Sequence, residues 1–444
     1  MEKGMLRKKL SLLSQGILAD SSFGLRVRMM KVWYLHHYAA PPDCGAPMRA
    51  HYLAKSLAPF GHDVTVVAAS CHHLRKESAP EKDHLTLRSF DEVQYFQLPT
   101  RSYVGNAWTR LSNMFDYNRQ VKLLPQVIAA GRLAKPDVLI ASSPHLFAFP
   151  AVNKIAEQLS AKVVFEVRDL WPLSLVELLG VPAWHPLVVW MGMIEKQGYK
   201  KADAVVSLLE NAYQYMGKRG LDRDKFHYIS NGADLDESVD GVELPHDCQS
   251  LFERLKKREK LIVVYAGAHG PPNALDQVLD LKKLVGSKEA PYHFVFIGDG
   301  SSKQQLEDRV RNEKISFISF FPRMSKKQVS IAVKKSDVCF IGWNNKNIYS
   351  YGTSPNKIGD YFVASKPVIN AIGHENDIVN KICAGIVVPP YNPDRLDAAL
   401  RKMYALTDEE RKTIGRRGRV YVEKSLRWEI LGEKYSKLLT ELNA

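Results

Sequence analysis

The sequence predicts an α/β chain of two doubly wound halves that face one another across a deep cleft. Three observations carry that reading. Short apolar runs alternate with helical patterns along most of the chain. The alternation stops in a polar stretch near residue 240 and restarts at Leu261. Glycine-bearing turns follow several apolar runs, as where a buried parallel strand hands over to a helix.

The first 28 residues are basic, and Ser11, Ser14, Gln15 and Gly16 interrupt the apolar stretch Leu10–Leu18. That segment reads as a disordered leader, or as residues ahead of a start at Met29 or Met30, rather than as a signal peptide. Lys31–Leu35 is the first strand, His36–Pro47 a loop, and Met48–Leu57 a helix. Gly61-His62-Asp63 turns the chain into the strand Val64–Ala68, completing a β–loop–α–β unit. Further strands are Val138–Ala141, Val163–Val167 and Ala204–Leu208, with the helix Ala151–Leu159 between the first two. Arg101–Gln126 sets Tyr103, Trp108, Phe115 and Tyr117 among basic residues and reads as an amphipathic surface helix. Val181–Ile194, with Trp184 and Trp190, is too short to span a bilayer and reads as a core helix, or else as an interfacial patch. Residues 238–260 read as a linker closing in the charged helix Ser250–Lys260.

The second half repeats the scheme. Its strands are Leu261–Tyr265, His293–Ile297, Ile315–Ile318, Val338–Ile341, Pro367–Ala371 and Gly385–Val388, with a helix Ala274–Val285 after the first. The domains are therefore 29–237 and 261–415. Residues 416–444 form a terminal helix, carrying Trp428, that can fold back on the first domain. Open sheets of this kind bind ligands beyond the carboxyl ends of their strands, here at a shared cleft.

Composition narrows the ligand. The 444 residues carry a formal net charge of +14 and 45% hydrophobic residues, which are globular proportions. The excess is +6 over residues 1–237 and +8 over the rest, so neither half is a dedicated basic domain. Nucleic acid, anionic membrane and phosphorylated small molecules remain open as partners. No aromatic-basic recognition motif supports nucleic acid. The five cysteines are isolated, which argues against zinc and a disulfide framework and for a reducing compartment. The pairs His36-His37 and His72-His73 lack the spacing of a helical metal site.

Five loops have the residues for chemistry. Gly267-Ala268-His269-Gly270 follows a strand and opens a helix, where a diphosphate is favoured. Gly298-Asp299-Gly300 also follows a strand. In Gly352–Tyr361, Ser354 and Pro355 read as helix cap and first turn, Lys357 adds charge and Asp360 lies a turn further on. Glu166-Val167-Arg168-Asp169 puts three charges at a strand end, either for function or as an ion pair. Gly45-Ala46-Pro47-Met48-Arg49 turns the first strand into its helix. G-x-G-x-x-G occurs nowhere, which argues against a dinucleotide enzyme.

Together with Gly61–Val64 and Ser230-Asn231-Gly232-Ala233-Asp234, these loops resemble the family 4 glycosyltransferases of the GT-B fold over about residues 30–440. Residues 163–172 and 352–370 are similar to the subgroup that builds bacterial O-antigens and capsules. The resemblance implies GT-B architecture and retaining, metal-independent transfer of an acetamido or deoxy sugar from a UDP-sugar. It implies a lipid-linked, polyprenyl diphosphate glycan as acceptor, no cofactor, and a cytoplasmic enzyme peripheral on the inner face of an anionic membrane.

By the same resemblance Arg168, Asp169, Lys357 and Asp360 are catalytic. The donor is held by Gly267, His269, Gly270, Asn273, Gly298, Asp299, Arg323, Ser354, Pro355, Asn356, Lys357 and Asp360. Gly45, Arg49, Glu166 and Asn231 lie on the acceptor side. The chain also departs from the pattern. Ala268 and Asn273 stand where the family has an arginine and a lysine for the diphosphate. Gly352 stands at its first glutamate, and Arg168 at its N-domain histidine. Lys357, Arg323, Arg168 and helix N-termini are the remaining candidates to balance the diphosphate. A UDP-N-acetylhexosamine 2-epimerase of the same fold and a non-catalytic, basic membrane-surface protein are the alternatives.

Overall fold

The computed structural model describes residues 29–41, 48–72, 85–102, 107–143, 145–235, 241–286, 289–374 and 377–444. The leader 1–28, Gly45 and Tyr103 lie outside the described residues.

Two parallel-sheet domains form a GT-B architecture. The first sheet holds β1 (Lys31–Leu35), β2 (Asp63–Ala69), β3 (Thr86–Phe90), β4 (Val93–Leu98), β5 (Val138–Ser142), β6 (Lys162–Val167), β7 (Ala204–Ser207) and β8 (Phe226–Tyr228). Its spatial order is β3-β4-β2-β1-β5-β6-β7-β8, parallel except for the β3–β4 hairpin. The second sheet holds β9 (Leu261–Ala266), β10 (Tyr292–Ile297), β11 (Ile318–Phe321), β12 (Val338–Gly342), β13 (Val368–Ala371) and β14 (Gly385–Val388), ordered β11-β10-β9-β12-β13-β14. Strand order reverses beside β1 in one sheet and β9 in the other, which opens a crevice at each.

Both sheets are covered on both faces, so their central strands are buried along their whole length and mostly apolar. Alternate side chains still serve different cores. Trp33 and Leu35 join the cluster of Phe96, Leu139 and Phe165, whereas Val32 and Tyr34 join that of Val66, Ile140 and Val206.

Several expected elements are displaced. Ala274–Val285 is not one helix. A 3₁₀ turn Pro271–Asn273 precedes two short helices, Asp276–Leu279 and Lys282–Val285, because Ala274 takes φ +43°. The strand placed at Ile315–Ile318 is instead β11, since Ile-Ser-Phe occurs twice in a row, at 315–317 and 318–320, and the pattern does not say which copy pairs. The hairpin β3–β4 turns on Asp91 and Glu92, both at positive φ, without the usual Asn-Gly signal. Within the supposed linker, His246–Lys257 is a helix. Its Cys248, Leu251, Phe252 and Leu255 share a core with Ile262 and Val264 of β9.

The chain crosses between domains twice, at Ile229–Leu235 and again near Val422–Trp428, and the two crossings pair with each other. Ala233 bridges Arg427, and its N–H donates to the Leu426 carbonyl at 2.8 Å. The helix Asp408–Tyr421 packs on the second domain, with Gly418 against Phe362. The helix Trp428–Leu442 returns to the first domain, where Leu431, Tyr435, Leu438 and Leu439 share a core with Leu53 and Leu57.

Candidate functional site

In the second domain the loops after β9 and β10 lock together. The Gly267 N–H donates to the Ile297 carbonyl (2.9 Å) and the His269 N–H to the Asp299 carbonyl (2.8 Å). Gly298 adopts φ +148°, and a Cβ there would stand 1.9 Å from the Gly267 oxygen, so only glycine fits. Gly270 precedes the Pro271–Asn273 turn, Asp299 is exposed at the loop tip, and Arg323 is exposed two residues past β11.

Lys357 reaches this cluster from the first turn of the helix Asn356–Val363. Its Nζ donates to Asn273 Oδ1 (2.7 Å) and to the Tyr265 hydroxyl (3.0 Å), and lies 4.5 Å from the Tyr265 ring centroid. A Cβ on Gly267 would come within 3.2 Å of that amine. The ammonium therefore rests against the glycine backbone. Burial pushes it down to about 8. His269 is buried beside Tyr265, Phe296 and Phe320, with neither ring nitrogen hydrogen-bonded. Burial first, then Lys303, lowers its imidazole to about 4.

Pro355, not Ser354, caps the Asn356–Val363 helix, and Asn356 and Asp360 are exposed on it. Ser354 instead accepts the Asn231 N–H on its Oγ (3.3 Å), and its carbonyl accepts Asn231 Nδ2 (2.9 Å). Asn231 thus ties the crossing to the loop before the Asn356–Val363 helix of the second domain, not to the first-domain wall where the acceptor was expected. Gly352, at φ +109°, packs against the Glu210 backbone, where a larger residue would be strained. A cavity of about 290 Å³ between the domains is lined by Glu210, Asn231, Ser354, Asn356, Lys381 and Tyr421, among others.

Across the cleft, strand ends of the first sheet gather His36 and His37 (after β1), His72 (after β2), His145 (after β5) and Arg168 (after β6). Arg168 Nη1 donates to His36 Nε2 at 2.5 Å, and His37 Nε2 contacts Asn113 Oδ1 at 2.7 Å. His145 is 8% exposed, with neither nitrogen hydrogen-bonded, and its ring meets His37 edge-on at 4.6 Å. Burial, with Arg110 behind it, lowers His145 to about 3. His36 and His37 also fall well below the ordinary imidazole value, burial being the largest cause. Asp169 is open to solvent yet hemmed by protein. That crowding raises its carboxyl, and Arg168 only partly opposes it.

Arg49 and Glu166 do not face the cleft, which corrects the acceptor-side expectation. They are 3% and 0% exposed and form an ion pair at 3.0 Å. Arg49 also donates to the carbonyls of Ile229 (3.1 Å) and Ser230 (2.5 Å). Glu166 accepts from Ser142 (2.8 Å), Tyr34 and, at 3.4 Å, Tyr435 of the returning helix. Burial alone would raise the Glu166 carboxyl; Arg49 and the Tyr34 hydroxyl outweigh it and hold it low. Both charges clamp the crossing to the first sheet.

Sequence reasoning weighed His36-His37 and His72-His73 only as metal-site pairs and missed that His36, His37 and His72 gather with His145. These four are 109 positions apart at the extremes and meet only once β1, β2 and β5 are neighbours. Among the described residues, no group of three or more His, Cys, Asp or Glu is arranged to hold a metal ion. Chemically, one wall offers an ammonium and a helix N-terminus suited to an anionic leaving group. The other offers neutral imidazoles, Arg168 and Asp169, suited to polar hydroxyls.

Residues 45–232 match the model described as "Glycosyl transferase 4-like domain", and residues 249–421 that of "Glycosyl transferases group 1". Solved structures share the fold at low identity. The sucrose-phosphate synthase of Thermosynechococcus elongatus is 14% identical, with TM-score 0.70 over 93% of this chain and 99% of that one. An E. coli trehalose-6-phosphate structure bound with UDP-2-fluoro glucose gives 13%, 0.68, 93% and 99%. The Anabaena protein HepE in complex with UDP gives 12%, 0.65, 93% and 100%. No curated protein matches the chain in sequence.

Proposed function

We infer the reaction from one premise: the chain is a GT-B glycosyltransferase, a glycosyl transferase 4-like domain joined to a glycosyl transferases group 1 domain. Its donor is a UDP-sugar and its acceptor a lipid-linked polyprenyl diphosphate glycan, in the synthesis of a bacterial surface polysaccharide. Transfer retains anomeric configuration and uses no metal.

The placement of Lys357 carries this reading. Its ammonium is held by Asn273 and Tyr265 against the Gly267 backbone, where the family's own lysine is missing. The cation comes from the facing loop instead, and it neutralises the diphosphate as the glycosidic bond breaks. Free N–H groups at the start of the Asn356–Val363 helix meet the same oxygens, Asp360 takes ribose hydroxyls and Arg323 adds charge. Arg168 and Asp169 hold the acceptor hydroxyl on the front face, and the departing phosphate oxygen takes its proton. Support for a uridine nucleotide also comes from the UDP and UDP-2-fluoro glucose bound by the structural neighbours.

The test supplies a panel of UDP-sugars with a polyprenyl diphosphate glycan, a soluble sugar phosphate or no acceptor, and follows released UDP. UDP release only with the lipid-linked glycan, undiminished in EDTA, is the expected result. Release with the sugar phosphate alone would reassign the acceptor, and acceptor-free conversion of the UDP-sugar would make the protein an epimerase. Lys357→Ala should cost about 10²–10³-fold in kcat with the fold intact, as for other pre-placed charges at a developing anion.

A further inference from the structure

We propose that His36 is a positioning residue for Arg168: a neutral imidazole, in place of a carboxylate, aims that guanidinium across the cleft and leaves its positive charge undiminished for the acceptor side of the reaction. The inference rests on the role given to Arg168 above, and adds to it a second residue and a protonation state.

The partner expected of an arginine beside two acids is missing. Glu166 and Asp169 flank Arg168 in sequence. Glu166, however, is taken up by Arg49 at 3.0 Å, with Ser142 and Tyr34 on its other oxygen. Among the described residues no ion pair joins Arg168 to Asp169 or to any other acid. The guanidinium instead donates through Nη1 to His36 Nε2 at 2.5 Å, and the Arg168 backbone N–H donates to Ser143 Oγ at 2.9 Å. Both ends of the residue are thereby fixed.

The chemistry of the contact settles the tautomer. A guanidinium has donors only, so His36 Nε2 is bare and the one ring proton sits on Nδ1. A second proton would set cation against cation at hydrogen-bond distance. The surroundings also oppose it. The ring is 1% exposed and stacks on Tyr34 of β1 with centroids 6.4 Å apart. It faces Arg168 after β6, His72 after β2 and His145 after β5, with no acid among them. Burial, then Arg168, holds the imidazole well below its ordinary value. The backbone is pinned too: the His36 N–H donates to the Val67 carbonyl (3.1 Å), and its carbonyl accepts the Ala39 N–H (3.0 Å). A carboxylate in this place would grip the guanidinium harder but offset its charge. Held by an imidazole, Arg168 brings a whole charge to the oxygens that gather at the reacting bond.

Two measurements on the full chain test this. The first needs no substrate and follows the ring nitrogens by long-range nitrogen–proton correlation spectra near neutral pH. His36 should show a bare Nε2 and a protonated Nδ1, and Arg168→Met should release the ring to a mixture of tautomers. A protonated Nε2 in the wild type overturns the proposal, and so does a His36 signal that Arg168→Met leaves unchanged. The second is UDP release with the acceptor that supports it. His36→Phe should cost about 10²-fold in kcat with UDP affinity unchanged, as a displaced group at the reacting centre does. His36→Gln, which keeps an acceptor atom on the side chain, should recover kcat to within about fivefold of wild type. Added to Arg168→Met, His36→Phe should bring no further loss. Equal losses in the Gln and Phe variants, or losses that add in the double variant, give His36 a packing role alone and overturn the proposal. Wild-type kcat in Arg168→Met refutes the role of Arg168 and the proposal with it; the tautomer spectra tell that failure from a failure of the contact itself.

Discussion

The proposed donor site rests on the Lys357 ammonium, whose burial also makes it titratable near neutral pH. Burial brings it to about 8, so part of the population loses its charge just above neutral pH. Donor kcat/KM should therefore fall as pH rises through about 8. Lys357→Arg should move that limb beyond the accessible range at some cost in rate, since guanidinium stays protonated. Asn273→Asp puts a carboxylate where the amine now donates, which raises its pKa and shifts the limb alkaline while repelling the diphosphate. A pH–rate profile identical in all three proteins would remove Lys357 from the donor site. The histidines opposite make a second prediction, on stability. His36, His37 and His145 titrate below their unfolded value, so the unfolded chain binds more protons once pH drops under about 6.5. Their neutral burial is favourable above that pH and is lost on acidification, His145 titrating down to about 3. Each contributes up to about 1.4 kcal/mol per pH unit in that window. Urea midpoints measured from pH 7 to 4 should fall, and His145→Phe should flatten part of the slope.

At the scale of elements, the returning helix Trp428–Leu442 depends on one small residue. A Cβ on Gly432 would lie 2.5 Å from the Ser56 carbonyl and 2.7 Å from its Oγ, so this helix and Arg49–Leu57 touch backbone to backbone. Gly432→Val should force them apart, expose Leu431 and Tyr435, and lower stability by about 3 kcal/mol or more, as overpacked cores do. Limited proteolysis should then cut near Val422–Trp428 without unfolding the second sheet; an unchanged Tm would mean the tail does not hold the first domain. Such elements divide by how their physics is written. Central strands were legible because burial on both faces leaves an apolar run that nothing else imitates. The hairpin β3–β4 was not, since its outer strand is half exposed and its turn is made by Asp91 and Glu92. Nor was the outward face of Pro186–Lys201, because an apolar composition does not say which side meets a neighbour. The glycine loops after β9 and β10 were readable as local motifs. The pairing of Lys357 with Asn273 joins positions 84 apart and needed the fold, as did the burial of the Arg49–Glu166 pair.

For the whole molecule, the crossing at Ile229–Leu235 is the place where the two domains exchange information. Arg49 fixes the Ile229 and Ser230 carbonyls to the first domain through a buried ion pair. The next residue, Asn231, makes two hydrogen bonds to Ser354 at the mouth of the donor loop. A rigid strap therefore runs from the first sheet to the N-terminus of the Asn356–Val363 helix, which presents Lys357. Nearby, the Asn211 N–H donates to the Tyr351 carbonyl at 3.0 Å, and a surface pair, Lys381 to Glu210 at 2.6 Å, is part-exposed on both sides and is worth about 0.5 kcal/mol in water. The strap, not the surface pair, should set how the donor loop is held. Asn231→Ala removes the Nδ2 bond to the Ser354 carbonyl, about 1 kcal/mol, while its backbone N–H keeps the bond to the Ser354 Oγ, so it should weaken UDP binding by about fivefold. Lys381→Ala should change it by less than about twofold. Calorimetric titration of UDP measures both, and small-angle scattering of the UDP-bound proteins should show a larger radius of gyration only for Asn231→Ala. Equal losses in the two variants would show that the domains are coupled by their general contact area, with no privileged path through the crossing.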